Sequence, residues 1–364
     1  MVSLQAVRAH NASLNSLGAG LVAVFVGGTS GISLSTALAL ARHTISPKIY
    51  LVGRSKPAAE SAIKSIKALN PSAEPVFLQS DISLLKNVDR VCEQITRREK
   101  YVNILFMTPG YLTLKGRDET SEGLDRKFVL HYYARMRFVN QLLPLLTAAA
   151  NLSSGSRPGL GPRSREPQLG LSLSRVVSVL DPLVSVRPSG FGSALLDYED
   201  LSLEHSFTFK KCGHHASLMN NFYLEGMAQR HGNTSFIHAY PSGVDTGILR
   251  GLPGGRVTRD FLRVLLRPFM VPIEESGERH LFAATSGRFP GAAQGIRGDD
   301  TRGEADGDVA LGSDGRQGSG CYWVNWDGEV FPEQGRITQR REEGAVERVV
   351  EHTEAVLRRV CEED

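Results

Sequence analysis

Residues 21–40 read LVAVFVGGTSGISLSTALAL. An apolar run stops abruptly at Gly27-Gly28-Thr29-Ser30-Gly31, and an apolar periodic stretch begins at once. That order predicts a buried strand, a tight turn and a helix, because glycine adopts backbone angles closed to other residues and lets a second backbone come close. The first N–H groups of a helix have no partner inside it and carry partial positive charge, so a helix opening on a glycine turn can receive a phosphate. Gly27 makes the turn, Gly31 admits a pyrophosphate, Thr29 and Ser30 offer hydroxyls, and Ile32 opens the helix. The bland reading is a glycine turn with nothing bound; the strand–turn–helix context favours the ligand.

The same alternation continues through two-thirds of the chain. Leu21–Val26, Lys48–Val52, Glu74–Leu78, Tyr101–Met107, Arg175–Val179 and Thr234–Tyr240 read as buried strands, with helical patterns near 32–42, 58–69, 84–97, 121–147 and 213–231. This predicts an α/β fold: a doubly wound, Rossmann-like, mostly parallel sheet with helices on both faces. The 364 residues divide into an N-terminal segment (1–20), one dinucleotide-binding domain (21–290), a Gly/Asp-rich loop (291–318), and a last strand with a C-terminal helix (319–364). A Ser-, Gly-, Pro- and Arg-rich surface insertion interrupts the domain at 150–172. Val346, Val349, Val350, Thr353, Val356, Leu357 and Val360 mark one apolar face of the terminal helix, which should dock on the body. Asp306-Gly307-Asp308 lacks the spacing of a calcium loop, so no metal site is expected.

The second strand ends in Gly53-Arg54-Ser55. An acidic residue there would hold a ribose 2′-hydroxyl, whereas Arg54, seconded by Ser55, suits a 2′-phosphate and so NADP(H). Lys and Arg number 42 against 39 Asp and Glu, a net charge of +3 that makes no electrostatic case for nucleic acid. Cys92, Cys212, Cys321 and Cys361 are far apart and read as reduced thiols. No apolar run is long enough for a membrane span, and the expected location is cytoplasmic.

Together these residues resemble the short-chain dehydrogenase/reductase family, whose glycine loop TGxxxGxG stands here as Val26 to Ser33. The resemblance covers about residues 20–250. It implies that Asp81 contacts adenine, that ILFMTPG replaces the segment usually written NNAG, and that Val244 and Thr246 in YPSGVDTGI close over the nicotinamide. NQLLPLL ends the family's fourth helix, and EDLSLE is similar to its retinol-dehydrogenase-like branch. The whole run also looks like a fungal group associated with secondary metabolism. The implied function is NADP(H)-dependent reduction of a carbonyl, imine or conjugated alkene in a small hydrophobic metabolite. The family also implies a homodimer paired through the fourth and fifth helices.

The family's catalytic groups are missing. Gly213 stands in the tyrosine slot and Ser217 in the lysine slot, or Cys212 and Ala216 after a one-residue slip; Leu180 and Asp181 replace the paired serines, and His131 replaces the asparagine. Substitute donors are His131, His214 and His215, since histidine ordinarily titrates near neutrality, with Asp181 to orient one of them. Tyr132 and Tyr133 are further candidates from the fourth helix. The competing readings are a non-redox cyclase or isomerase and an inactive ligand-binding protein on the same fold.

Overall fold

The computed structural model describes the chain apart from residues 112, 114–115, 153–171, 184–195, 245, 247–269, 296–307, 333 and 363–364. Most of the expected insertion and much of the Gly/Asp-rich loop therefore lie outside the described residues. Seven strands form one sheet: β1 (Val22–Val26), β2 (Lys48–Gly53), β3 (Glu74–Gln79), β4 (Ile104–Met107), β5 (Arg175–Val179), β6 (Ser235–Ala239) and β7 (Cys321–Val324). Their order is β3-β2-β1-β4-β5-β6-β7 and every pairing is parallel. The order reverses between β1 and β4, and in open sheets of this kind ligands bind at the carboxyl ends beside that reversal.

Both faces are buried, which is why the strands read as continuous apolar runs. Val22, Val24 and Val26 face one core, with Leu105, Val176 and Trp323. Ala23 and Phe25 face the other, with Phe106, Ile237 and Tyr322. Helices α2 (Gly31–His43) and α3 (Lys56–Leu69) cover the second core, and α4 (Leu85–Thr96) covers the first. The α4 stripe Val88, Val91, Cys92 and Ile95 sits at helical spacing, and Ser55 caps α3 by accepting from Ala58 N at 3.3 Å.

After β4 the chain turns through α5 (Arg126–Phe128) and a π-helical turn (Val129–Tyr133) into α6 (Ala134–Ala150). Then α7 (Phe209–Arg230) starts at Thr208, whose hydroxyl accepts from Lys211 N at 3.0 Å. The π turn falls on Tyr132, Tyr133 and His131, the segment that replaces the family's asparagine. Such turns shift the phase of the helix around them.

Four α-helices were not anticipated, three of them ahead of β7. Residues Leu4–Ser13 form α1, Ile273–Thr285 form α8 beside it, and Ala292–Gly295 form the short α9. Asn11 of α1 donates to Glu278 of α8 at 2.6 Å, so the N-terminal segment is part of the body. Beyond β7, α10 (Gly335–Glu342) leads into α11 (Ala345–Cys361), whose apolar face is buried as its pattern predicts. It lies on α7 and α4. Gly226 of α7 permits this, since a Cβ there would come within 2.8 Å of Val350 Cγ2. Arg341 clamps Glu225 through two bonds of 2.9 Å.

Candidate active site

The glycine turn is built as its residues require. Gly27 and Gly31 have φ of +79° and +61°, in the left-handed region, and the N–H groups of Gly27 and Gly28 both donate to Val52 O. A Cβ on Gly28 would meet Phe25 O at 2.7 Å. Ser30 caps α2 in an extended conformation without a side-chain bond, which leaves the first turn of the helix open to an anion. Thr29 packs on Gly53, and Thr246 Cγ2 lies 3.5 Å from where a Cβ on Gly31 would sit. The turn, the end of β2 and the segment after β6 thus meet at one edge.

Arg54 is exposed, makes no ion pair among the described residues, and borders two cavities of about 360 and 450 Å³. Ser55 is already engaged as the cap of α3. Asp81 accepts from Ser83 N at 3.1 Å, and its other oxygen lies 4.0 Å from Arg126. Val244 is buried and bridges to Val271. Every expected cofactor residue therefore stands at the carboxyl edge of the sheet.

The cleft beyond β4 and β5 is less as expected. His131 brings the Nε2–Cδ2 edge of its ring against Gly110, where a Cβ would come within 2.5 Å of Nε2. Burial, then Arg135 and Lys127, push its pKa down to about 3, so it stays neutral where an ordinary histidine would titrate. His215 is committed to backbone: Asp197 N donates to Nε2 at 3.2 Å and Nδ1 lies 3.3 Å from Leu201 O. His214, its neighbour on α7, is buried as well. Asp181 accepts from Leu183 N within its own turn, and its carbonyl accepts from Ser217 Oγ at 2.6 Å. Tyr132 and Tyr133 turn away from the cleft to Thr353 and His352 of α11. Burial raises the Cys212 thiol to about 12, which removes it as a nucleophile.

Beneath this cleft lies a polar network that sequence reasoning missed. Arg135 is 1% exposed and donates to Leu130 O (3.2 Å), Ser178 Oγ (2.8 Å), Val179 O (2.8 Å) and Pro109 O (2.7 Å). Ser178 in turn donates to Asn220 Oδ1 at 2.8 Å, and Asn220 donates to the carbonyls of His131 and Ala216. The available signal was a charged residue inside an apolar helical stripe. Among the described residues, a Cβ on Gly213 would meet nothing within 4 Å.

A family model described as short chain dehydrogenase matches residues 21–151. An oxidoreductase of Emericella nidulans, AN1596, is 39% identical over 360 residues, 98% of each chain. The chain belongs to the short-chain dehydrogenase/reductase family. A second fungal relative, the oxidoreductase andH of Emericella variicolor, is 34% identical over 90% of this chain and 88% of its own. The NADPH-bound carbonyl reductase from chicken fatty liver shares the fold, with a TM-score of 0.50 at 14% identity over 85% of this chain and 98% of that one. The chain itself is an atypical fungal member of the short-chain dehydrogenase/reductase family.

Proposed function

We propose that this chain is an NADP(H)-dependent oxidoreductase that reduces a carbonyl, imine or conjugated alkene of a small hydrophobic metabolite in secondary metabolism. The observation that carries the reading is the N-terminus of α2 behind two left-handed glycines, uncapped by the Ser30 side chain, with Arg54 at the end of the next strand making no ion pair among the described residues. Gly27, Thr29, Ser30, Gly31 and Ile32 would hold the pyrophosphate, Arg54 and Ser55 the 2′-phosphate, and Asp81 the adenine. Val244 and Thr246 would cover the nicotinamide. The full-length fungal relatives named oxidoreductases support the redox class.

When bound, the nicotinamide supplies the hydride. The chain's own part is placement: the β4 loop, pinned through Pro109 O by Arg135, fixes one wall, and the Thr246 segment closes on the other. Of the four expected substitutes, His131 alone lies against the β4 loop, and it does so as a neutral imidazole able to donate one hydrogen bond. His214, His215 and Asp181 serve as structural groups in this reading.

The test is NADPH consumption with a panel of ketones, enones and iminium compounds, paired with deletion of the gene and analysis of the metabolites lost. Turnover with at least one class is expected. The replacement of all four catalytic groups favours a second reading, a non-redox cyclase or isomerase. A lost product without any NADPH consumption would select it, and tight cofactor binding with neither effect would select a ligand-binding protein.

A further inference from the structure

Arg54 shares its 450 Å³ cavity with a second guanidinium. Arg90, on the second turn of α4, lines the same space, and both side chains are exposed. Asn87 and Gln94 add carboxamides from that helix, and Asp81 is the one carboxylate lining the cavity among the described residues. Asp81 is partly engaged: it accepts from Ser83 N, and its other oxygen lies 4.0 Å from Arg126. Arg90 also borders a groove of about 830 Å³, whose carboxylates are committed elsewhere. Glu119 pairs with Arg117 at 3.3 Å and Glu204 with Arg359 at 3.4 Å, while Glu122 accepts from the N–H groups of Leu85 and Lys86. The acidic neighbours of Arg90 on α4 are paired too, Asp89 with Arg137 and Glu93 with Arg97. Arg90 itself donates to Asn87 Oδ1 at 3.1 Å on its own helix and, like Arg54, makes no ion pair among the described residues.

Two guanidiniums from different elements thus line one cavity with a single, partly engaged carboxylate. A phosphate monoester carries a charge of about −1.5 to −2 at neutral pH and three terminal oxygens, so it can accept from both arginines at once. We infer that Arg90 is a second specificity-determining residue for the cofactor: with Arg54 it clamps the 2′-phosphate of NADP(H), one arginine reaching from α4 and the other from the end of β2. The inference rests on the NADP(H) reading and deepens it. Ser55 is uncharged and its hydroxyl oxygen already accepts from Ala58 N, so the charge that a dianion requires beyond Arg54 comes from elsewhere. Asp81 would repel a phosphate placed against it, yet its carboxylate suits a hydrogen-bond donor, which the amino group of adenine provides. An adenosine 2′-phosphate therefore answers both signs present in the cavity. Neither arginine touches a reacting atom; their effect is on which dinucleotide binds.

The test is calorimetric titration of cofactor-free protein with 2′,5′-ADP and 5′-AMP, which differ only in the 2′-phosphate. The unaltered chain should bind 2′,5′-ADP the more tightly, by about tenfold or more. Arg90→Gln, at an exposed helical position, should remove about tenfold of affinity for 2′,5′-ADP and leave 5′-AMP unchanged. Arg90→Lys keeps the charge and should retain more of the preference than Arg90→Gln. If Arg90→Gln leaves the preference intact while Arg54→Asp abolishes it, the inference is overturned and the NADP(H) reading stands. Equal weakening of both ligands by Arg90→Gln also overturns it, since Arg90 would then serve the part of the nucleotide that the two share. If the unaltered chain binds the two ligands equally, or binds neither, the NADP(H) reading falls and the clamp falls with it.

Discussion

Arg54 and Gly28 are the residues at which the account is most exposed. Arg54 is exposed at the end of β2 and makes no ion pair among the described residues, so replacing it should change cofactor choice and little else. Arg54→Asp is expected to weaken NADPH at least tenfold, about 1.4 kcal/mol or more, while NADH affinity holds or rises; equilibrium titration of both dinucleotides checks it. Gly28 makes the opposite kind of prediction. A Cβ there collides with Phe25 O inside β1, so Gly28→Val should lower the melting temperature as well as cofactor affinity. The cofactor side was legible in the sequence because the turn, the strand before it and the helix after it are contiguous. The catalytic side was not. His131 was read by the ordinary behaviour of its side chain, whereas its burial and two neighbouring cations come from tertiary packing. Arg135 and Asn220 went unnoticed because a polar residue in an apolar stripe gives no hint of what it will bond.

At the scale of elements, strand and helix periodicity carried most of the fold. Helices α1 and α8 lay outside it, because α1 is a short, weakly apolar helix whose position is set by contacts with distant residues such as Glu278. Glu278 is pushed up by burial but held below its usual range by His43 and Asn11, which outweigh it. The α8 helix also carries His280, 4% exposed, whose pKa burial lowers from 6.5 to about 4. A depressed histidine stays neutral in the folded state while the unfolded chain takes its proton. Stability should therefore fall as pH drops from about 6.5 to about 4, by about 3 kcal/mol from His280 alone. Denaturant midpoints measured across that range test this, and His280→Leu should flatten the slope. The terminal helix makes a separate prediction: Leu357→Ala, at 2% exposure on α11, should cost about 2–5 kcal/mol by thermal or urea unfolding.

At the scale of the whole molecule, α11 changes how the chain can associate. The family resemblance implied pairing through the fourth and fifth helices, here α6 and α7. Yet α11 lies on α7, fills the groove at Gly226 and takes the hydroxyls of Tyr132 and Tyr133. Sedimentation of the full chain should accordingly give a monomer of 39.7 kDa, and a dimer that persists on dilution would mean that another face pairs. Among the described residues no helix is long and apolar enough to cross a membrane. What remains is one sheet edge on which a phosphate-ready turn and an exposed arginine converge. Calorimetric titration of the purified chain with NADPH tests that convergence most directly. The account predicts one dinucleotide per chain, bound more tightly than NADH and weakened by Arg54→Asp; a flat titration with both NADPH and NADH would contradict it.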